Sequence, residues 1–270
     1  MKIFSLLLLV FFSLTNAQNF TVQYRYTKQA SKTDTVLLRQ NAFLVIDNND
    51  SIFFSEAAYV SDSIFLQNSR KGIRTDFKKM PDDYLRGFVT KNLHLHFVTY
   101  YSDEFDDLEF QYDEKPNLKW QILSESKKIL GYRTILAKTS YMGRNYSAYF
   151  TTDIPVSDGP YKFSGLPGLI LEVFDDENYH CFKAIAISSK RNIPFDLTQR
   201  NFKETDKSKF LKAREAYRKA PLQRLIQLVN SSQIYEVSNK NGEVVDLRKM
   251  FEENQRRMVR EYENENSIEL

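Results

Sequence analysis

An alternation of apolar and polar side chains with a period of two runs through the first two-thirds of the chain. At residues 20–26 aromatic or aliphatic side chains occupy every even position, while Thr21, Gln23 and Arg25 occupy the odd ones. This pattern is typical of a strand that buries one face. Further short strands are predicted at 42–46, 93–98, 108–112, 120–123, 130–137, 145–151, 169–174 and 182–187.

The connections between these strands are short and polar, as at residues 47–50 and 175–178. Such connections are typical of turns between neighbouring antiparallel strands, and no long helical pattern separates the strands. Apolar residues recur three or four apart only in the last quarter, between about residues 203 and 264. The sequence therefore predicts an α+β fold, in which helices of the C-terminal part pack on one antiparallel sheet.

The N-terminal segment predicts export. Residues 1–17 combine Lys2 with an apolar stretch of the length of a signal peptide and a small residue, Ala17, at the expected cleavage point. The remaining residues, 18–270, are predicted to form a single domain. The sole cysteine, Cys181, has no intrachain disulfide partner and lies far from a lipid attachment point. A formal net charge of +3, without a dense basic tract, does not favour nucleic acid as a partner.

Residues 153–168, called the Pro/Gly loop below, contain three of the seven prolines and three of the eight glycines. Proline fixes φ and glycine permits close backbone approach, so we expect a pre-shaped segment. A connection of this length is either a structural Ω-loop or a binding loop. Sequence alone leaves both interpretations open.

The binding interpretation assigns ligand or partner contacts to Arg144 and to the Pro/Gly loop. In that hypothesis Tyr161, Phe163 and Leu166 are presented beside Arg144, so that a ligand docks without ordering the loop. In the alternative hypothesis Arg144 pairs with Asp153 and fastens the loop to the sheet. The candidate residues are Arg144, Asp153, Gly159, Pro160, Tyr161, Phe163, Gly165, Leu166, Pro167 and Gly168.

One stretch of the chain, residues 120–171, closely resembles the GLPGLI family of exported proteins from Bacteroidetes-type Gram-negative bacteria. The resemblance rests on the string GLPGLI at residues 165–170, on KILGY at 128–132 and on AYFT at 148–151. The closing NSIEL at 266–270 is similar to the usual family ending. Two positions differ, because Thr134 replaces a frequent cysteine and Tyr149 a frequent tryptophan.

The resemblance implies a periplasmic or outer-membrane-associated protein, expected to be soluble after export, that acts with a TonB-dependent receptor. By analogy the sheet is expected to be curved, like the half-barrel of lipoprotein carriers, and to bind a small apolar ligand. Fold analogy is a weak basis for function. We therefore predict a non-enzymatic binding or interaction protein of the cell envelope that uses no cofactor.

Two alternative functions remain open. His94 and His96 would share one face of a predicted strand, where a third ligand such as His180 could complete a metal site. A hydrolase could use the carboxylates of an acidic cluster, although the chain carries no complete catalytic motif. That cluster consists of Asp103, Glu104, Asp106, Asp107 and Glu109.

Overall fold

A single large sheet of twelve strands organises the protein in the computed structural model. The strand order is β12-β6-β5-β4-β3-β2-β1-β11-β10-β9-β8-β7, so the described sheet is open, with β12 and β7 at its edges. Every pair is antiparallel except β12 with β6. The structure describes residues 19–76, 79–102, 104–105, 108–189, 193, 200–232, 235–238 and 244–269.

The strands of the sheet are β1 (Phe20–Gln29), β2 (Leu37–Asp47), β3 (Asp50–Ser55), β4 (Phe88–Asn92), β5 (Phe97–Ser102), β6 (Phe110–Glu114), β7 (Gln121–Ile129), β8 (Tyr132–Tyr141), β9 (Arg144–Thr151), β10 (Leu169–Asp175), β11 (His180–Ser188) and β12 (Lys203–Thr205). A separate hairpin joins β13 (Glu236–Ser238) and β14 (Val244–Asp246). The helices are α1 (Glu56–Arg70), α2 (Lys207–Lys219), α3 (Gln223–Ser232) and α4 (Leu247–Asn264).

The predicted alternation holds in the first strand, which lies in the interior of the sheet between β2 and β11. Tyr24 and Tyr26 are buried, whereas Arg25 is exposed. We call the side of the sheet that carries Tyr24 the core face, and the side that carries Arg25 the outer face. Residues directly opposite in the antiparallel register share a face.

The core face carries the main apolar cluster, to which all the large strands contribute aromatic or aliphatic side chains. Phe53 and Phe182 meet there edge to face, with ring centroids 5.7 Å apart. A smaller cluster lies on the outer face, where Phe43 and Phe54 are covered by α1 through Tyr59. The sheet therefore has apolar packing on both sides.

Two sequence predictions within the sheet region are wrong. The predicted strand at 93–98 is a turn followed by the start of β5, because Asn92 accepts a hydrogen bond from the backbone N–H of Leu95 through its side chain. The second error concerns α1, a helix that interrupts the strands. Only Ala57 and Ala58 of α1 are buried, so the sequence carries too narrow an apolar stripe to reveal it.

Three of the four described helices, α2, α3 and α4, lie in the C-terminal part of the chain. Phe210 of α2 is buried on the core face, where its ring lies 5.0 Å from that of Tyr112 in β6. Helix α4 packs against α3 and against α2. The sheet is wider than the expected half-barrel, so only the coarser prediction of a mostly antiparallel sheet with helices is confirmed. No described helix is long and apolar enough to cross a bilayer, and residues 1–17 lie outside the described ranges.

The close approach at Gly168 gives a test of the loop's fit to the sheet. A Cβ at this residue would lie 2.0 Å from the carbonyl oxygen of Thr151. We expect Gly168→Ala to lower the free energy of unfolding by about 3 kcal/mol or more, measured by urea denaturation. Gly72→Ala is the control, because Gly72 also has positive φ but no atom within 4 Å of the added Cβ. A loss of about 1 kcal/mol is expected there, and equal losses in both variants would contradict the prediction.

Candidate functional site

The Pro/Gly loop packs across the core face. Tyr161, Phe163 and Leu166 are each at most 5% exposed, and the Phe163 ring packs edge to face on Tyr146 of β9. Gly159 lies so close to Ile170 that an added Cβ would be 2.8 Å from the Ile170 Cβ. The loop therefore completes the core, and these three side chains are not presented to solvent.

Among the remaining predicted binding residues, Arg144, Gly159, Pro160 and Gly168 are also buried. Asp153, Gly165 and Pro167 are exposed. The docking hypothesis requires Tyr161, Phe163 and Leu166 to be accessible to a ligand, and all three side chains are buried. The binding role assigned to this segment remains a prediction for its exposed residues.

A buried lysine lies inside the Pro/Gly loop. Lys162 donates to the Tyr112 hydroxyl at 2.7 Å and to Oε1 of Glu269 at 2.6 Å, and its Nζ lies 2.5 Å from Oε1 of Glu114. Its ammonium also lies over the Tyr100 ring, 4.5 Å from the centroid. Two carboxylates and aromatic faces thus compensate a cation that has lost its water.

A second buried pair fastens the beginning of the loop. Lys91 of β4 lies 2.5 Å from Oδ1 of Asp158 and donates to the carbonyl oxygen of Gly159 at 2.6 Å. Burial lowers the pKa of Lys91, and the charge of Asp158 opposes that shift. The two lysines that hold the loop, Lys162 and Lys91, are therefore both buried between the loop and the core face of the sheet.

Arg144 fastens a different segment from the one expected. It pairs with Asp175 of β10 at 3.0 Å, and it donates to the side chain of Asn266 at 2.6 Å and to the carbonyl oxygen of Ser267 at 2.8 Å. Asp153 is exposed and does not pair with Arg144. Arg144 instead holds residues 265–269 against the sheet. We call these residues the tail segment.

Further side chains hold the tail segment on the core face. Tyr146 donates to the carbonyl oxygen of Ile268 at 2.9 Å, and Tyr161 donates to Glu269 at 2.9 Å. Although burial raises the pKa of Glu269, the charges of Lys162 and Lys207 bring it below the usual range. Side chains from the strands and the Pro/Gly loop therefore hold the tail segment in place.

His180 belongs to this interior set. The Tyr26 hydroxyl lies 2.8 Å from its Nδ1, and the backbone N–H of His180 donates to Asp175 at 2.7 Å. Burial, together with the charges of Arg144 and Lys28, lowers the pKa of the imidazole to about 3. The ring is therefore neutral near neutral pH.

The geometric argument for a metal site at His94 and His96 fails. Both residues lie in the turn between β4 and β5 rather than on one strand face, and His96 has a φ of 51°. In the described part of the chain, no group of three or more His, Cys, Asp or Glu residues could hold a metal ion. Cys181 is half-buried on β11, and burial with the charge of Glu172 raises its thiol pKa to about 11.

The acidic cluster is only partly described, because Asp103, Asp106 and Asp107 lie outside the described ranges. Its other two members form ion pairs that link the sheet to the later part of the chain. Glu104 pairs with Arg218 of α2 at 2.7 Å, and Glu109 pairs with Arg200 at 2.5 Å. Neither carboxylate is therefore available as a free catalytic group.

A groove of about 710 Å³ opens on the outer face. Its floor is the β1–β2 pair, one wall is the first half of α1, and the other wall is the segment 79–84. Ser55 begins α1 by accepting the backbone N–H of Ala58 at 2.8 Å. Gln40, which lies on the core-face side of β2 opposite Tyr26, holds the end of the second wall, because its side chain accepts from the Tyr84 backbone N–H at 3.0 Å and donates to Asp83 at 3.2 Å.

The groove combines polar and apolar surfaces. Arg25, Arg39 and Asn41 project from the floor, since residues of odd number in β1 and β2 face outward. Val60 and Ile64 of α1 supply an apolar wall. Ligand pockets commonly have volumes of 300–1,000 Å³ and a few convergent polar groups, so this groove has the dimensions of a small-molecule site.

Sequence reasoning missed both the interior lysines and the groove. Lys162 and Glu269 are 107 residues apart, so no local pattern connects them. The groove depends on α1, which the apolar spacing did not reveal. One residue of this set was indicated by the sequence, because Glu269 belongs to the string NSIEL at residues 266–270 that resembles the family ending.

Comparisons with known proteins concern part of the chain and its fold. Residues 141–172 match a family model described as a protein of unknown function, Porph_ging. No curated protein matches the sequence. Two crystal structures of PNGF-II are similar in fold at 16% identity over 73% of this chain, with TM-scores of 0.52 and 0.51. The chain spans 33% and 32% of the length of those PNGF-II chains.

The buried ion pair of Lys162 predicts a large stability effect. Lys162→Met removes one partner and leaves Glu114 and Glu269 without their shared cation, so we expect a loss of about 3–5 kcal/mol in urea unfolding. Lys219→Met is the control, because its pair with Glu215 is solvent-exposed and its loss should change stability little. The double variant Lys162→Met/Glu269→Gln should recover part of the loss. No recovery would contradict the electrostatic explanation.

Because His180 is neutral in the folded protein, we expect stability to decrease with acid at pH values above those at which carboxylates titrate. Between its ordinary pKa of 6.5 and its folded pKa of about 3, the unfolded chain binds a proton that the folded chain does not. Stability should therefore fall as pH falls from 6.5 to 5.5, with a mean slope of about 1 kcal/mol per pH unit. Urea unfolding across this window should show that slope, and His180→Gln should remove it. An unchanged slope in the variant would assign it to other groups.

Proposed function

We propose that this chain is a non-enzymatic binding protein of the cell envelope, and that its ligand occupies the outer-face groove. The observation that carries the proposal is the groove itself, a depression of about 710 Å³ whose walls are fixed by α1 and by Gln40. A pre-formed site avoids the entropy cost of ordering a loop upon binding.

The interior chemistry supports binding rather than catalysis. Lys162, Lys91 and Arg144 each contact a carboxylate within the core, and these contacts hold the loop and the tail segment in place. Groups used in this way are not free to approach a substrate. The groove lies on the opposite face, where a ligand can exchange while the interior stays closed.

The envelope location is part of the proposal. It is supported by the signal-like residues 1–17 and by the resemblance to the GLPGLI family, which also suggests association with a TonB-dependent receptor. The apolar wall of α1 supports the expectation of a ligand with apolar character. Metal binding by His94 and His96 has no comparable support, because the turn separates them from a shared strand face.

Blocking the groove tests the proposal. Native mass spectrometry of the protein purified from its own envelope should give a bound mass, and Val60→Trp should remove that mass by filling the groove beside α1. Phe65→Trp is the matched control, because Phe65 is 50% exposed on the same helix and does not line the groove. Both variants should keep the melting temperature, since neither position is buried. A wild-type protein without bound mass, or a Val60→Trp protein that retains it, would contradict the proposal.

A further inference from the structure

The charges of the groove define its ligand more closely. Three cationic side chains, Arg25, Arg39 and Lys79, line it together with two carboxylates, Glu56 and Asp82. Glu56 is already hydrogen-bonded, because Asn41 donates to its Oε2 at 2.8 Å. Lys79 lies 3.7 Å from a carboxylate oxygen of Asp76, so within the described residues Arg25 and Arg39 are the groove cations that have no carboxylate partner.

The two arginines are close neighbours on the floor. Arg25 is directly opposite Asn41, and Arg39 is directly opposite Thr27, so the arginines lie on one diagonal of the antiparallel pair. Diagonal neighbours on one face are about 7–8 Å apart, within reach of long side chains. Like charges at this spacing repel each other, and an anion placed between them removes that repulsion.

The guanidinium groups retain donors for such an anion. Arg25 uses its Nε to donate to Asn41 at 2.9 Å, which orients the side chain and leaves its terminal nitrogens available. Within the described ranges, Arg39 makes no hydrogen bond or ion pair through its guanidinium. Arginine binds carboxylates through paired N–H donors, so the two residues together form a receptor for one anionic headgroup.

An apolar surface continues from the arginines along the groove. Val60 and Ile64 of α1 form one side, and Met80 and Pro81 form the other. Val60 is 36% exposed, so part of its surface is available to a ligand. An aliphatic chain that leaves the headgroup would cover these side chains and remove apolar area from water.

We propose that the groove binds an aliphatic carboxylate, with the carboxylate between Arg25 and Arg39 and the chain against α1. This inference rests on the proposed binding function and specifies its ligand class. A carboxylate carries one negative charge, whereas a phosphate monoester carries about −1.5 to −2 at neutral pH and would be repelled more strongly by Glu56 and Asp82 of the same groove. One such ligand would contact both the two arginines of the floor and the apolar side chains of α1.

Decanoate provides a direct test, with decanamide as the uncharged analogue of equal chain length and decyl phosphate as the competing headgroup. Isothermal titration with the wild-type chain below micelle-forming concentrations should give decanoate an affinity at least about tenfold higher than decanamide. Arg25→Gln and Arg39→Gln should each reduce decanoate affinity about tenfold while decanamide binding is unchanged. Lys138→Gln, at an exposed residue of β8, is the charge-matched control and should bind decanoate like the wild type.

The outcomes separate this inference from the proposed function. Equal binding of decanoate and decanamide, both abolished by Val60→Trp, would overturn the carboxylate assignment and leave a neutral apolar ligand in the groove. Tighter binding of decyl phosphate than of decanoate would overturn it in favour of a phosphate headgroup. Absence of binding by all three compounds would also overturn it, while the mass bound to the native protein would still decide the proposed function.

Discussion

The interior depends on the ion pairs that the buried ammonium of Lys162 forms with two carboxylates. This ammonium lies between Glu114 on the sheet and Glu269 in the tail segment, and its own residue belongs to the Pro/Gly loop. Three parts of the chain that are distant in sequence therefore share one charge. Because a buried charge without partners is costly, each of these parts stabilises the position of the other two.

Arg144 and Lys91 extend the same arrangement along the core face. Arg144 joins β9 and β10 to the tail segment, and Lys91 joins β4 to the beginning of the Pro/Gly loop. Both cations are buried, and the exclusion of water strengthens each ion pair. Packing of the loop thus explains the buried members of its proline and glycine set, which are Gly159, Pro160 and Gly168.

Local patterns predicted the parts of the fold that depend on local chemistry. Alternation predicted β1, and the spacing of Phe210 and its neighbours predicted α2. Helix α1 was missed because it buries only two alanines. The site could not be predicted, since the pairing of Lys162 with Glu269 and the facing of Arg39 toward α1 arise only when distant strands adopt their register.

The late position of the tail segment in the sequence affects how the chain reaches its native state. Every strand of the large sheet is synthesised before residues 265–269, yet Arg144, Tyr146 and Lys162 each take one of their partners from those residues. A nascent chain therefore keeps an unfinished polar interior until synthesis has passed this point.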